Sequence, residues 1–142
     1  MRAELCRETW MLTSIKILML VTDLGFVGYW AATALALIPP ELAYSDYQDP
    51  RLVAWNWSFL PIDLIISATG ILAVRWVRIR PTAGYALMLI SLTLTHASGL
   101  FAISFWAIRA DVRIEWWAPN LVLLLYPVPA LLWLIKNAPA CR

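Results

Sequence analysis

Charged residues are scarce in this chain, and they form no cluster of the kind that binds nucleic acid. Asp, Glu, Lys and Arg make up 14% of the 142 residues, and 62% are hydrophobic. A soluble domain carries about 25% charged residues. The net charge is only +2, and no run of Lys or Arg has aromatic residues interleaved, which argues against a nucleic-acid partner. The composition predicts an integral membrane protein.

The sequence also lacks the cysteine and glycine-rich motifs that bind metals and nucleotide cofactors. The two cysteines, Cys6 and Cys141, lie at opposite ends of the chain, which excludes a CxxC metal site and a dense disulfide framework. The sequence has no Gly-rich phosphate loop. We therefore expect neither a metal nor a nucleotide cofactor.

Four apolar runs dominate the remaining sequence, and each is long enough to cross a bilayer, which takes roughly 20 residues. They cover about 15–38, 55–76, 82–108 and 116–135. Residues 1–14 are interpreted as an N-terminal cytoplasmic or interfacial segment and residues 15–142 as one domain. Because the connections are mostly short, consecutive spans should be antiparallel. The predicted fold is an all-α, integral membrane, up-down four-helix bundle.

The basic residues indicate the orientation of this bundle. With the N-terminus in the cytoplasm, most of the 11 basic residues fall on that side: Arg2, Arg7, Lys16, Arg75, Arg78, Arg80, Lys136 and Arg142. The opposite side receives Arg51, Arg109 and Arg113. This positive-inside bias predicts that both termini are cytoplasmic, and the expected location is a bacterial cytoplasmic membrane.

Three of the spans carry an ionisable residue, which is costly inside a membrane and usually functional. These residues are Asp23 in the first span, Asp63 in the second and His96 in the third. A buried carboxyl group favours its protonated form, and such a proton donor needs a base, for which His96 is a candidate. Asp63, Asp23 and His96 are therefore the candidate catalytic residues, although His96 alone would suit a structural role equally well.

Helical spacing places further polar residues on the inward faces. Asn56, Asp63, Ser67 and Gly70 share one face of the second span, and Thr95 belongs to a stripe of small residues on the third. Asn120 lies near the outer end of the fourth span. Such small residues are also ordinary packing surfaces between membrane helices.

Aromatic residues are expected in two places. Most of the tryptophans, Trp30 among them, fall near span ends, where interfacial belts form. Trp57, Tyr29, Phe59 and Trp106 are interpreted as the aromatic wall of a cavity above Asp63. Because aromatic faces attract cations, that cavity would suit a ligand that is, or becomes, positively charged.

Four stretches of the chain resemble a known family. The chain from about Leu12 onward is similar to the YvaD-like group of small bacterial four-span membrane proteins, for which no function is established. The stretches are TDLGFVGYW (22–30), VAWNWSFLPID (53–63), SGLFAISFWAIRAD (98–111) and WWAPNL (116–121).

A more distant resemblance concerns the EXPERA group, which includes the emopamil-binding sterol isomerase and the sigma-2 receptor. The stretch DYQDPRLVAWNWSFLPID resembles that group's Asp-Pro loop and the following span with a buried acid, at the position of Asp63. APNLVLLLYP resembles the last span of the group. The resemblance implies that Asn120 contributes to a ligand cavity. The histidine and glutamate of the isomerase's first core span have no clear equivalent here, where the span carries Asp23, Tyr29 and Thr33.

The preferred hypothesis is a membrane-embedded cavity that binds a lipophilic, isoprenoid- or sterol-like ligand. As an enzyme, it would isomerise or cyclise that ligand without a cofactor, through a carbocation. Asp63 would protonate an alkene or stabilise the cation, and Asp23 or His96 would remove a proton. The aromatic side chains would shield the cation, and Asn120 would orient a polar group.

Two other hypotheses remain open. In the first, Asp63, Asp23 and His96 form a proton relay in a small transporter or channel that acts as a homodimer. In the second, the protein is a non-catalytic accessory membrane subunit whose buried polar residues only fix the helix register. The expected partners are a lipophilic small molecule or a membrane lipid, and the membrane itself, with a second copy of the chain in the case of a homodimer.

Overall fold

The structure, a computed structural model, describes residues 2–39, 44 and 46–137, with side chains from Trp10 onward. The described part of the chain is helical and contains no strand. Six helices follow one another: α1 (Arg2–Ala34), α2 (Pro50–Trp57), α3 (Leu60–Trp76), α4 (Pro81–Ile108), α5 (Ile114–Leu125) and α6 (Pro127–Asn137). The first helix thus begins well before residue 15.

These helices make four spans that are long and apolar enough to cross a membrane: Trp10–Ala34, Pro50–Trp76, Pro81–Ile108 and Ile114–Asn137. The predicted fold class, an all-α bundle of four membrane-spanning segments, is confirmed. The described residues of the connection between α1 and α2 (35–39, 44 and 46–49) and the connection 109–113 lie at one end of the bundle, which we call the long-loop end. The connection 77–80 lies at the other end.

Proline residues start several of the helices. Pro50, Pro81 and Pro127 each occupy the first position of a helix, and Pro61 occupies the second position of α3. A proline is tolerated there because its missing N–H would have no intrahelical acceptor. Asp49 caps α2 by accepting a hydrogen bond from the backbone N–H of Arg51 at 2.8 Å. This bond, with the Arg51 side chain, lowers the pKa of Asp49.

The second and fourth spans are each interrupted. The second breaks at Ser58 and Phe59, between α2 and α3, and the Ser58 hydroxyl donates to the Trp55 carbonyl at 2.6 Å. The fourth breaks at Tyr126, just before Pro127. In both cases the proline removes one N–H from the helical ladder, which explains why the regular helix stops close to it.

The contacts between helices do not form a closed ring. α3 packs against α1 and α4, and α4 also packs against α5 and α6, but α1 and α5 make no extensive contact. Two glycines permit close approaches between helices of the bundle. A Cβ atom at Gly70 would collide with the Asp23 carboxyl group on α1, and one at Gly99 would lie 2.6 Å from the backbone nitrogen of Leu124.

The buried residues form three hydrophobic clusters along the bundle. The cluster away from the long-loop end comprises Ile15, Met19, Ala73, Val77, Met88, Leu92, Ala130 and Leu134. Phe26, Trp30 and Ile66 form the middle cluster, and Tyr44, Leu52 and Trp106 lie at the long-loop end. Large apolar side chains such as Val21, Leu24 and Phe101 point outward, as they do on lipid-facing surfaces.

Candidate functional site

A cavity of about 540 Å³ lies in the long-loop half of the bundle. This volume is within the range of sites that hold small organic ligands, about 300–1,000 Å³. The lining comes from five helices and two adjoining positions: Thr22, Gly25, Phe26, Tyr29, Trp30, Ile38, Trp55, Asn56, Phe59, Asp63, Ser98, Ala102, Trp106, Glu115, Trp116, Pro119, Asn120, Val122 and Leu123. Most of these side chains are apolar or aromatic.

Asp63 is the buried carboxyl group of this cavity. Its residue is 4% exposed, and each carboxylate oxygen accepts one hydrogen bond from a neighbouring helix. Trp30 Nε1 on α1 donates to Oδ2 at 3.0 Å, and Ser98 Oγ on α4 donates to Oδ1 at 3.2 Å. The acid at the start of α3 is therefore held from both sides in one position.

Asn56 and Tyr29 form a second polar pair on the cavity wall. The Tyr29 hydroxyl donates to Asn56 Oδ1 at 2.9 Å, and the Asn56 Nδ2 group makes no hydrogen bond within the described part of the chain. Asn56 lies on α2 and Asp63 on α3, on either side of the helix break at Ser58 and Phe59. Both side chains nevertheless reach the same cavity.

Asn120 brings an amide to the cavity from α5. Its Nδ2 group donates to the carbonyl of Trp116 at 2.7 Å, one turn earlier in the helix. Its Oδ1 atom accepts no hydrogen bond from any described residue. This oxygen remains available to a donor on a ligand.

Aromatic rings make up the long-loop side of the cavity. Trp55 stacks on Phe105 with 3.9 Å between the ring centroids, and it meets Trp106 edge-on at 5.4 Å. Tyr44 packs against Trp116 at 5.7 Å, and this burial raises the pKa of the Tyr44 hydroxyl. Ring faces and edges thus surround the space above the carboxyl group.

Asp23 is buried but does not line the cavity. Its residue is 1% exposed, and its Oδ2 atom has no hydrogen-bond partner among the described residues. The carboxyl group faces Gly70 of α3. The hydroxyl group of Tyr126 is its polar neighbour, in contact with Thr22 and Thr95.

His96 also lies outside the cavity. Its Nδ1 atom is 2.7 Å from the backbone carbonyl oxygen of Leu124, next to the break between α5 and α6. Because a carbonyl oxygen only accepts hydrogen bonds, Nδ1 carries the proton and donates it there. The histidine links α4 to α5 at the break. The three ionisable residues of the spans therefore do not meet in one cavity.

Two further residues proposed from the sequence as ligand contacts are placed elsewhere. Trp57 is 38% exposed and packs beside Trp30 at 5.4 Å, outside the cavity lining. Thr95 is buried, and its hydroxyl donates to the Ser91 carbonyl at 2.9 Å. The six proposed residues that do line the cavity are Asp63, Asn56, Asn120, Tyr29, Phe59 and Trp106.

The family comparison covers nearly the whole chain. Residues 15–140 match the model of a family of unknown function, DUF5360. The chain is also 41% identical, over 123 residues, to the uncharacterized protein YvaD of Bacillus subtilis (strain 168), covering 87% of this chain and 92% of that protein. The chain belongs to the DUF5360 family. The YvaD-like resemblance inferred from the four quoted stretches is thereby confirmed.

The more distant resemblance to the EXPERA group receives no support from these comparisons. No solved structure matches this DUF5360 chain, and its curated relative YvaD carries no assigned activity.

Sequence reasoning missed two residues that position the acid of this DUF5360 site. Trp30 was expected in an interfacial belt, but it is buried and donates to Asp63. Its spacing of seven from Asp23, with Phe26 between them, already placed it on the inward face of α1. Ser98 lies in the same stripe of small residues on the third span as Thr95, and its spacing carries no signal that distinguishes it from Ser91.

No group of three or more potential metal-ligating side chains is found among the described residues. Within the cavity lining, the other carboxyl group is that of Glu115, whose partner is Arg113 at 3.8 Å. Both side chains of this pair are partly exposed at the long-loop end. The deep part of the cavity therefore contains one acid, Asp63, surrounded by amide, hydroxyl and aromatic groups.

Proposed function

We propose that this DUF5360 protein binds a lipophilic molecule, of isoprenoid- or sterol-like character, that carries a positively charged group. The observation that supports this function best is the position of Asp63, a single buried carboxyl group on the wall of an otherwise largely apolar and aromatic cavity. The cationic group of the ligand would pair with Asp63, and its hydrocarbon part would fill the rest of the cavity.

The energetics favour a cationic group over a neutral one. A buried carboxylate is stabilised by an opposite charge, and the low-dielectric surroundings strengthen that attraction. Aromatic faces add further attraction for a cation, about 0.5–2 kcal/mol each. Trp30 and Ser98 hold the carboxyl group in place, so little side-chain freedom is lost on binding.

Binding has more structural support than catalysis. An isomerase or cyclase acting through a carbocation needs a proton donor and a separate base in contact with the ligand. Asp63 is placed for the first role, but Asp23 and His96, the candidate bases, do not line the cavity. The hydrogen bond between His96 and Leu124 gives the histidine a role in helix packing instead.

A proton relay through a homodimer has less support for the same reason. The relay would join Asp63, Asp23 and His96. However, His96 is hydrogen-bonded to the α5 backbone, and the Asp23 carboxyl group packs against the surface of α3.

We place the protein in the bacterial cytoplasmic membrane with both termini in the cytoplasm, from the distribution of its basic residues.

Binding can be measured with two matched probes, a dibromo-octadecylamine and the uncharged dibromo-octadecanol. Bromine quenches tryptophan fluorescence at short range, and four tryptophans line the cavity: Trp30, Trp55, Trp106 and Trp116. The purified protein in lipid nanodiscs should bind the amine more tightly than the alcohol. Because the two head groups also differ in membrane partitioning, each affinity is expressed against the concentration of that probe in the nanodisc bilayer.

Asp63→Asn should abolish that preference. Removing a charge-assisted contact of about 1.5–3 kcal/mol should weaken amine binding roughly tenfold to a hundredfold, and leave alcohol binding nearly unchanged. Asp23→Asn is the matched control, because this equally buried acid lies outside the cavity. Unchanged amine binding in the Asp63 variant would refute the proposal, whereas an equal loss for both probes would indicate a structural defect.

A further inference from the structure

The cavity has an uncovered side between α1 and α5. Both helices contribute to its lining, but they do not pack extensively against each other. Each is held in the bundle through a different neighbour, α1 through α3 and α5 through α4. Side chains bridge this line near both of its ends, where Tyr29 of α1 meets the Trp116 ring of α5 edge-on at 6.1 Å and the Tyr126 hydroxyl, just after α5, contacts Thr22 of α1. Between these two contacts the wall of the cavity is incomplete.

The edges of the gap are formed by residues that line the cavity and are also exposed on the outside of the bundle. Gly25 belongs to α1, and Pro119 and Val122 belong to α5. Glu115 also lines the cavity and is exposed, but it lies at the long-loop end and pairs there with Arg113 at 3.8 Å. Away from that end, residues that face both the cavity and the surroundings mark an opening. No atom lies within 4 Å of the position that a Cβ of Gly25 would occupy, so the α1 edge is free of side chains at that point.

The opening lies at the depth of the hydrocarbon core. At 1.5 Å per residue, Gly25 is roughly 13 Å from Ala34 along α1, and Val122 is roughly 12 Å from Ile114 along α5. Ala34 and Ile114 are the ends of their spans on the long-loop side. The two edges therefore face each other near the middle of a bilayer whose core is about 30 Å thick.

The long-loop side of the cavity is more obstructed than this gap. Tyr44 packs against both Trp106 and Trp116 there, and Arg109 lies over the Trp106 ring at 5.9 Å. Arg109 also forms an ion pair with Asp46 at 3.0 Å. A path from water would have to cross this packed aromatic layer, whereas the gap meets lipid directly.

We propose that the ligand reaches Asp63 sideways from the bilayer, through the gap between α1 and α5, and that it is a lipophilic amphiphile with a cationic head group. The head group would be bound at Asp63, with the free Oδ1 atom of Asn120 as a second acceptor. The hydrocarbon part would lie between Gly25 and Val122 and extend into the lipid. This inference rests on the proposed function, because it uses the same cavity and the same carboxyl group.

A bulky side chain at residue 25 should obstruct this route. Gly25→Phe would place a ring in the opening, whereas Gly28→Phe is the matched control. Gly28 is on the same helix, exposed, and free of neighbours within 4 Å of a Cβ, but it does not line the cavity. Binding of dibromo-octadecylamine is followed by tryptophan quenching, and its release by fluorescence recovery after addition of excess octadecylamine.

We expect Gly25→Phe to slow both binding and release by about tenfold or more, a barrier change of roughly 1.4 kcal/mol, and Gly28→Phe to match the unmodified protein. In the graded series Gly25→Ala, Gly25→Val and Gly25→Phe, the rates of binding and release should fall as the side-chain volume rises. If Gly25→Phe abolishes binding, Gly25→Ala and Gly25→Val should still show this decrease. Rates independent of side-chain size at residue 25, or equal slowing at residue 28, would overturn the lateral route. Failure of the unmodified protein to prefer the amine over the alcohol would instead overturn the binding proposal on which it rests.

Discussion

Two aspartates in this protein both lie within apolar spans but have different surroundings. Asp23 and Asp63 are both almost fully buried within membrane spans. Asp63 accepts hydrogen bonds on both carboxylate oxygens and faces the cavity, while Asp23 has an unpartnered oxygen and faces Gly70. The sequence shows that the first and second spans each contain a buried acid. The difference between the two acids depends on which helix lies opposite, and that information is not local.

The close contact between Asp23 and Gly70 predicts that a larger residue at position 70 would destabilise the bundle. Gly70→Ala should destabilise the bundle by about 1–3 kcal/mol, because the added methyl group forces α1 away from α3. The measurement is the free energy of unfolding in mixed micelles. Combining the change with Asp23→Ala should recover most of the loss.

Gly28→Ala is the control for this prediction. Gly28 has open space around its Cβ position, and alanine is the better helix former by about 1 kcal/mol, so stability should be unchanged or slightly higher. Equal losses for Gly70→Ala and Gly28→Ala would show that the close approach of α1 and α3 does not limit stability.

At the scale of the helices, the breaks in the second and fourth spans affect the directions of the polar side chains on either side of them. The sequence predicted four spans, and their number follows directly from the length and hydropathy of the apolar runs. It did not predict that the second and fourth spans are each two helices, although Pro61 and Pro127 stand at both breaks. Proline permits either a kink or a new helix start, and the surrounding packing selects between them.

His96 provides the test at this scale. His96→Ala should lower the free energy of unfolding by about 1–2 kcal/mol, because the Leu124 carbonyl loses its donor. The preference for dibromo-octadecylamine over the alcohol should persist. His96→Gln, whose side-chain amide can donate to the same carbonyl, should recover part of the stability. Loss of amine preference in a stably folded His96→Ala protein would place the histidine in the ligand site, contrary to the structure.

At the scale of the whole molecule, composition predicted a membrane protein but did not predict the shape of the cavity. The scarcity of charge and the four apolar runs required a helical membrane protein, since backbone polar groups must be satisfied internally in lipid. Periodicity identified inward faces, and six of the ten proposed site residues do line one cavity. The gap between α1 and α5 could not be foreseen, because helical periodicity shows which face is buried but not against which neighbour.

The central claim, that a lipophilic cation binds beside Asp63, is tested most directly by photolabelling. An octadecylamine bearing a diazirine near its head group would be activated in the membrane, and the labelled peptides would be mapped by mass spectrometry. The account predicts labels concentrated on cavity residues such as Phe26, Asn120 and Leu123, and their loss in Asp63→Asn. Labels distributed over lipid-facing residues such as Leu18, Ile71 and Phe101, with the same pattern in both proteins, would contradict it.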